Sequence, residues 1–247
     1  MTTFKIALYP GDGIGVDVMD EAEKLLDALG KRRPDVVLER TRFPWGCEHY
    51  QKTGELFPPN ILEILQPFDA VLLGAIGLPS VLPDHVTLEP LIKLRQGFDQ
   101  YACVRPAKLL PGVACPLANK TPKDVDMLVI RENSEGEYVA DGGRFKVGTP
   151  QEVAVQTSLH TRKGVERIIR FAFEQARKRR NRMTLVTKSN ALKFSMVLWD
   201  DVWMEVRKDY PDVETDKQHV DAAAMNFVRR PEHFDVVVAS NLFGDIL

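Results

Sequence analysis

The 247-residue sequence lacks the features that mark several classes of protein. Its three cysteines, Cys47, Cys103 and Cys115, are odd in number and have no C-x-x-C spacing, which argues against a zinc site or a disulfide framework. No apolar run approaches the roughly 20 residues of a membrane span, and the start of the chain has no basic segment followed by a long apolar one. These absences predict a cytoplasmic protein with no membrane partner.

An excess of charge of one sign is also absent. The formal net charge is −2 and the pI is about 6.2, so the surface gives no electrostatic reason to expect nucleic acid as a partner. A composition of 44% hydrophobic and 28% charged residues is ordinary for a globular protein of one large or two modest domains. A small molecule is the predicted ligand.

The chain begins with a pattern that resembles a dinucleotide-binding turn. An apolar run from Phe4 to Tyr9 leads into the glycine-rich turn Pro10-Gly-Asp-Gly-Ile-Gly15, and apolar residues then recur at helical spacing. The fingerprint G-x-G-x-x-G fails by one residue, because Val16 stands where the third glycine should let helix and strand pack closely. An ordinary Rossmann site is therefore disfavoured.

Later segments continue to alternate between strand and helix patterns. Residues 61–65 predict a short helix and residues 69–74 a buried strand. Short alternating runs on either side of a glycine turn predict a hairpin within residues 139–157. A clear amphipathic helix is predicted for residues 161–180. The order of elements indicates an α/β protein.

Four charged residues each lie shortly beyond the end of a predicted strand. They are Arg131, Lys188, Asp221 and Asp245. Because ligands gather at the carboxyl ends of strands in open α/β sheets, these side chains are expected to meet at one cleft. The alternatives are a surface turn for Arg131 and helix N-capping for the two aspartates.

The segment from Arg131 to Tyr138 holds two groups suited to catalysis. The planar fork of Arg131 matches a substrate carboxylate. The phenol of Tyr138 would serve as a general acid if its pKa were lowered. Further arginines occur upstream at Arg95 and Arg105.

Taken together and in order, six motifs resemble the β-decarboxylating dehydrogenases, the family of isopropylmalate, isocitrate, homoisocitrate and tartrate or D-malate dehydrogenases. The resemblance covers essentially the whole chain. It rests on Pro10-Gly-Asp-Gly-Ile-Gly15, the arginines Arg95 and Arg105, Arg131-Glu-Asn-Ser-Glu-Gly-Glu-Tyr138, Thr187-Lys-Ser-Asn190, His219-Val-Asp221 and Asn241-Leu-Phe-Gly-Asp-Ile-Leu247.

The resemblance implies a two-domain isopropylmalate/isocitrate dehydrogenase-like α/β fold that is not a Rossmann fold. Residues 1–100 would belong to the first domain and residues 101–247 to the second, dimerisation domain, with a β arm at the dimer interface. In the family both chain ends return to the first domain, so the chain is expected to be truncated and to lack the C-terminal part of that domain.

The resemblance also assigns substrate and metal ligands. Arg95, Arg105 and Arg131 match the positions that hold the carboxylates of a malate-like 2-hydroxy acid. Asp221 and Asp245 match ligands of a divalent metal, Mg²⁺ or Mn²⁺, which prefers hard oxygen donors. K⁺ is implied as a further cation.

Catalytic and cofactor positions follow in the same way. Lys188 matches the base for the C2 hydroxyl and Tyr138 the acid that protonates C3. Ile14 and Asn190 match positions near the nicotinamide of NAD. In the family Lys188 and Asp221 are lent by the partner subunit, which implies a homodimer with shared active sites.

Two positions bear on the substrate. Isocitrate enzymes resemble one another in a serine and an asparagine where this chain has Glu89 and Leu91, so isocitrate is disfavoured. The segment from residue 132 to Tyr138 most resembles tartrate and D-malate enzymes. A 3-isopropylmalate dehydrogenase, a non-catalytic regulatory paralogue and a simple nucleotide-binding module on the glycine-rich turn remain as alternatives.

Overall fold

The computed structural model describes every residue from Met1 to Leu247. Its contacts divide the chain into two compact units, Met1–Phe98 and Asp99–Leu247. No helix in either unit combines the length and the apolar character that crossing a membrane requires. That the second unit serves as a dimerisation domain stays a prediction.

The first unit contains a parallel three-stranded sheet in the order β2-β1-β3. The predicted strand, glycine turn and helix at its start are present, and the short helix at residues 61–65 has the predicted bounds. The elements are β1 Thr2–Gly11, β2 Val36–Arg42, β3 Ala70–Ala75, α1 Ile14–Arg32, α2 Cys47–Thr53, α3 Ile61–Leu65, α4 Asp84–Thr87 and α5 Glu89–Gly97.

Close packing between α1 and β3 is achieved without the third glycine of a Rossmann fingerprint. A Cβ added to Gly15 would lie 2.3 Å from the Pro10 carbonyl oxygen and 2.5 Å from the Ala75 amide nitrogen. A Cβ on Gly74 would lie 2.6 Å from the Gly15 carbonyl oxygen. Gly15 and Gly74 therefore allow the backbones of α1 and β3 to approach each other closely. A glycine at position 16 is not required for this packing.

The expectation that residues 69–74 form a buried strand was wrong in one respect. Strand β3 is present, but it pairs only with β1 and lies at the edge of the sheet. Its apolar side chains from Val71 to Leu73 are half-buried. The apolar run was enough to predict the strand. The burial of the strand, however, depends on which elements cover the sheet.

The second unit is built on a five-stranded sheet in the order β4-β5-β10-β8-β9. Strand β4 is antiparallel to β5, and the other neighbours are parallel. The elements are β4 Ala102–Lys108, β5 Asp126–Glu132, β6 Gly142–Phe145, β7 Val153–Gln156, β8 Arg182–Thr187, β9 Glu214–His219, β10 Val236–Ala239, α6 Arg162–Arg177, α7 Ser195–Val206, α8 Val220–Arg229 and α9 Asn241–Ile246.

The predicted amphipathic helix and hairpin are both present in this unit. Helix α6 begins after Thr161, whose hydroxyl oxygen accepts a hydrogen bond from the Gly164 amide at 3.0 Å, and its apolar face is fully buried. Strands β6 and β7 pair in antiparallel fashion, and all of their residues are exposed. The placement of this hairpin at a dimer interface stays a prediction.

Candidate active site

The carboxyl ends of four parallel strands lie at the same edge of the five-stranded sheet. Arg131 lies near the end of β5, Lys188 directly follows β8, Asp221 lies in the first turn of α8 after β9, and Asp245 lies in α9 after β10. Strand β10 separates β5 from β8. The four side chains form two groups at this edge rather than one.

The first group is centred on the carboxylate of Asp245. It accepts hydrogen bonds from Arg105 Nη2 at 3.0 Å and from the Tyr138 hydroxyl at 2.8 Å, and it forms an ion pair with Arg131 Nη1. Arg131 also lies over the Tyr138 ring, with 5.1 Å from Cζ to the ring centroid. These four residues are called the arginine cluster below.

Arg131 is the most constrained member of this cluster. It is only 1% exposed, and a buried guanidinium must be paired and hydrogen-bonded to remain stable. Asn241 Oδ1 accepts from Arg131 Nε at 3.0 Å and from Nη2 at 2.6 Å. Gly244 leaves room for the arginine, because a Cβ there would lie 2.7 Å from Arg131 Cβ.

Sequence reasoning included Asn241 and Gly244 in a family motif but gave neither residue a role. The spacing of Asn241 and Asp245, four residues apart, was an available signal, because such residues share a face of a helix. Nothing in the sequence, however, showed that this face would meet a residue of β5.

The electrostatics of the arginine cluster bear on the protonation of Tyr138 and Asp245. Burial raises the pKa of the Tyr138 phenol, and the hydrogen bond to the Asp245 carboxylate raises it further, so the condition of a lowered pKa is not met within this chain. Burial alone would also raise the pKa of Asp245, but the Tyr138 hydroxyl and the two guanidinium groups outweigh it and hold that pKa below its usual range. Tyr138 is therefore a protonated phenol facing an ionised carboxylate at neutral pH.

The loop that carries Tyr138 is held by two carboxylates, of which Glu132 is buried and Glu135 is half-buried. Glu132 accepts from the Ser134 amide at 2.9 Å, the Ser134 hydroxyl at 2.8 Å and the Glu135 amide at 2.8 Å. Glu135 in turn accepts from the amide and hydroxyl of Thr161. The loop is thus tied to the end of β5 and to the start of α6.

The second group is an ion pair between Lys188 and Asp221, here called the lysine pair. Lys188 Nζ lies 2.7 Å from Asp221 Oδ1, and the Asp221 side chain is 69% exposed. The hydrogen bond from Lys188 holds the pKa of Asp221 below its usual range. No hydrogen bond or ion pair joins the lysine pair to Arg131 or Asp245 within this chain.

The alternative that the two aspartates serve as helix N-caps was wrong. The N-cap position of α8 is His219, and neither α8 nor α9 has a side-chain capping bond. Asp221 is in the first turn of α8 and binds Lys188, and Asp245 is near the end of α9. Neither carboxylate is occupied with helix capping.

The candidate nicotinamide residues lie at exposed turns. Ile14 is 70% exposed at the start of α1. Gly13, with φ of +52°, has open space around the position of a Cβ. Asn190 is exposed in the turn after β8. Both turns are accessible to a ligand.

Asp12 organises the glycine-rich turn and was not singled out from the sequence. Its carboxylate is 4% exposed and accepts from the Cys47 amide at 2.5 Å and the Gly77 amide at 2.8 Å. It thereby connects the turn after β1 with the start of α2 and the loop after β3. In the same unit, Arg95 lies half-buried on α5.

Asp221 and Asp245 offer carboxylate oxygens, the hard donors that a divalent cation prefers. No group of three or more potential metal-binding side chains lies together in this chain. Mg²⁺ commonly needs only one or two carboxylates, with water and substrate oxygens completing the shell. The 38% exposed Asp245 side chain is accessible to such an ion.

A model of the family described as isocitrate/isopropylmalate dehydrogenase matches residues 5–247. The chain therefore belongs to this family of dehydrogenases. The resemblance seen in the motifs is confirmed.

Three curated relatives have nearly the same identity to the chain. It is 48% identical to D-malate dehydrogenase [decarboxylating] of Escherichia coli (strain K12), over 100% of this chain and 69% of the relative. It is 46% identical to a probable tartrate dehydrogenase/decarboxylase of Bacillus subtilis (strain 168), with the same coverage. It is also 46% identical to 3-isopropylmalate dehydrogenase of Thermobifida fusca (strain YX), over 99% of this chain and 69% of the relative.

A solved structure confirms the predicted fold. The crystal structure of isocitrate dehydrogenase from Methylococcus capsulatus superposes with a TM-score of 0.84 and 36% sequence identity, covering 98% of this chain and 68% of that chain. The chain therefore has the isocitrate dehydrogenase-type α/β fold expected from its motifs.

Proposed function

We propose that this chain belongs to an NAD-dependent enzyme that oxidises and decarboxylates a malate-like 2-hydroxy acid with the help of Mg²⁺ or Mn²⁺. The observation that carries the proposal is the arginine cluster. It holds a buried guanidinium, a second guanidinium and a phenol around one carboxylate. Family membership and the names of the relatives support the dehydrogenase and decarboxylase chemistry.

Substrate binding is assigned to the three arginines. Arg131 and Arg105 donate hydrogen bonds to Asp245, and the same guanidinium groups have the geometry to hold a substrate carboxylate. Arg95 is assigned to the same task from its position in the family motif. Two carboxylates and a hydroxyl are the groups that a malate-like acid presents.

Proton transfer is assigned to one residue of each group. Lys188 removes the proton of the C2 hydroxyl during oxidation, and Tyr138 returns a proton to C3 after carbon dioxide has left. Asp221 positions Lys188 through the 2.7 Å ion pair. Because burial and the Asp245 carboxylate raise its pKa, Tyr138 carries the proton that this step requires.

Two bound groups complete the chemistry. Ile14 and Asn190 are assigned to NAD, and Asp245 and Asp221 to the cation, from the family motifs; when bound, NAD would supply a hydride acceptor and the cation a Lewis acid. K⁺ is assigned as an additional cation from the family resemblance.

The active unit in this proposal is a homodimer with shared active sites. The separation of the lysine pair from the arginine cluster within one chain supports it, since the base and the acid must face one substrate. A partner chain would bring its lysine pair to the arginine cluster.

The substrate is proposed to be D-malate or tartrate. The test is NADH formation by the full-length gene product with Mn²⁺ and K⁺, comparing D-malate, tartrate, isocitrate and 3-isopropylmalate at equal concentrations. The expected result is the highest kcat/KM with D-malate or tartrate, and little turnover of isocitrate because Glu89 and Leu91 offer no match for its extra carboxylate.

A second candidate is a 3-isopropylmalate dehydrogenase, which the 46% identity to the Thermobifida fusca enzyme favours. It predicts the highest kcat/KM with 3-isopropylmalate. Absence of turnover with all four acids would instead favour a regulatory paralogue, although the presence of both Lys188 and Tyr138 argues against one.

A further inference from the structure

Only one of the two flipped orientations of the Asn241 side-chain amide satisfies its hydrogen bonds. It is 1% exposed, and its Oδ1 accepts two hydrogen bonds from Arg131. Its Nδ2 donates to the Glu135 carbonyl oxygen at 2.8 Å. Because a guanidinium can only donate and a carbonyl can only accept, flipping the amide would break all three bonds.

This orientation decides which edge of Arg131 is available. A guanidinium can bind a carboxylate along its Nε–Nη2 side or along its Nη1–Nη2 end. Asn241 occupies the side through Nε and Nη2. Arg131 Nη1 donates to Asp245, so the Nη1–Nη2 end of the guanidinium faces that carboxylate.

The contact is more specific than ordinary filling of a buried position. Asn241 and Asp245 lie one turn apart on α9 and hold two different nitrogens of the same arginine. Gly244 removes the Cβ that would collide with Arg131 at 2.7 Å. Gly136, with φ of +81°, brings its own Cα close to Asn241, since a Cβ there would lie 3.0 Å from Asn241 Cβ.

We propose that Asn241 is a positioning residue that fixes the plane of Arg131, so that only the Nη1–Nη2 end of the guanidinium is offered to a substrate carboxylate. The proposal deepens the proposed function and rests on it for the identity of the ligand. The orientation of Arg131 can be tested whether or not the enzyme turns over any acid.

The kinetic test compares Asn241→Ala with Asn226→Ala in the full-length protein. Asn226 is a matched control, because it is also buried, also in the second unit, and donates one amide hydrogen bond to Gln218 at 2.9 Å. Losing hydrogen bonds to a charged group predicts a KM for the hydroxy acid that rises roughly 10- to 100-fold in Asn241→Ala. The KM for NAD and the kcat should change little, since the arginine contact exists in both ground and transition states.

An equal rise in KM in both variants would overturn the proposal, because loss of packing would then explain the rise.

The second readout follows the Nε–H of Arg131 by NMR of arginine-labelled protein. The signal is assigned by its loss in Arg131→Lys. In the parent protein and in Asn226→Ala, exchange of this proton with water should be slow, because Asn241 covers it. Exchange should become fast in Asn241→Ala. Slow exchange in that variant would overturn the proposal even if no acid were turned over.

Asn241→Asp covers the case in which the alanine variant does not fold. It keeps an oxygen for Nε and Nη2 but removes the donor to Glu135, so slow exchange with a smaller rise in KM is expected. If wild-type protein oxidises none of the acids while the Nε–H result holds, the proposed function fails and the orienting role of Asn241 stands.

Discussion

The arginine cluster and the lysine pair occupy the same edge of one sheet, yet they are built differently. In the arginine cluster, three donors surround one carboxylate, and the central arginine side chain is 2% exposed. The lysine pair has a single ion pair, with side chains 27% and 69% exposed. One group is fixed by its neighbours, and the other is free to change partners.

This difference has a physical cause and a functional meaning. A buried charge is destabilising unless its hydrogen bonds are complete, whereas an exposed ion pair contributes only about 0–1 kcal/mol to stability. The arginine cluster must therefore be formed when the chain folds. The lysine pair can be rearranged at little cost, which suits residues that serve a site on another chain.

The largest effect is expected for Arg131→Ala, which removes the centre of the arginine cluster. It leaves Asn241 and Asp245 without their main donor, and breaking a buried pair costs about 3–5 kcal/mol in general. Because Asp245 is partly exposed, a loss of roughly 2–4 kcal/mol in the free energy of unfolding is expected. Activity should fall below detection. Urea unfolding and NADH formation measure the two effects.

Arg170→Met is the matched control for that substitution. Arg170 pairs with Glu166 and Asp209, but its side chain is 41% exposed. Its removal should change the free energy of unfolding by at most about 1 kcal/mol. Equal destabilisation by both substitutions would remove the distinction between buried and exposed arginines.

Lys188→Met should abolish oxidation without a comparable loss of stability. The substitution removes the base for the C2 hydroxyl. It breaks only an exposed ion pair, so the free energy of unfolding should change by about 0–1 kcal/mol. Metal binding, followed by calorimetry with Mn²⁺, should be largely retained. NADH production near the wild-type rate would contradict the assignment of Lys188 as the base.

Gly244→Ala tests how tightly α9 packs on Arg131. The new Cβ would lie 2.7 Å from Arg131 Cβ and 2.8 Å from Cγ, so one of the two must move. Overpacking of this kind costs about 1–3 kcal/mol, and the KM for the acid should rise as Arg131 is displaced. Thermal unfolding and steady-state kinetics provide the measurements.

Gly30→Ala is the control with the opposite expected sign. Gly30 lies in α1, and no atom lies within 4 Å of the position of its Cβ. Alanine should stabilise that helix by about 0.5–1 kcal/mol. If Gly244→Ala were also stabilising, the close contact with Arg131 would be ruled out.

The smallest effect concerns His160, which is linked to the loop of Tyr138. Trp199 Nε1 donates to His160 Nδ1, so the ring proton is on Nε2 and faces Ser158, which donates to Glu137. Burial lowers the pKa of His160, against the opposing effect of Glu137 and two further carboxylates, Glu135 and Glu132.

The pH dependence follows from the direction of that shift. The unfolded chain binds a proton near the ordinary histidine pKa of about 6.5, whereas the folded chain binds it only at lower pH. The contribution to stability is therefore complete above pH ~6.5 and is lost as the pH falls below it. His160→Gln should flatten this part of the stability curve. An unchanged slope between wild type and variant would show that His160 is not responsible.

Local patterns predicted most of the fold. The helix at residues 61–65 and the helix that begins after Thr161 could be predicted because the spacing of apolar residues acts over a few residues. The edge position of β3 was not readable, because it depends on which strands pair. For the same reason, the half-burial of Val71 could not be inferred from its neighbours in the sequence.

The sequence predicted which residues belong to the candidate site, but not which of them are in contact. Arg131 and Asp245 were both singled out at strand ends, and the structure joins them across 114 positions. The role of Asn241 was missed because it depends on a tertiary contact over 110 positions. Asp12 was missed because a carboxylate in a glycine-rich turn shows no sign of burial until three loops close around it.

Mixing two inactive variants tests most directly whether the arginine cluster and the lysine pair act across chains. Tyr138→Phe and Lys188→Met are purified separately, unfolded and refolded together in equal amounts. Half of the dimers should then be mixed. In a mixed dimer, one of the two sites combines an intact Tyr138 from one chain with an intact Lys188 from the other, and the second site lacks both. NADH formation should therefore recover to roughly a quarter of the wild-type rate. Recovery at that level is the predicted result. If mixed dimers form but remain as inactive as the separate variants, Tyr138 and Lys188 act within one chain, and the shared active site is contradicted.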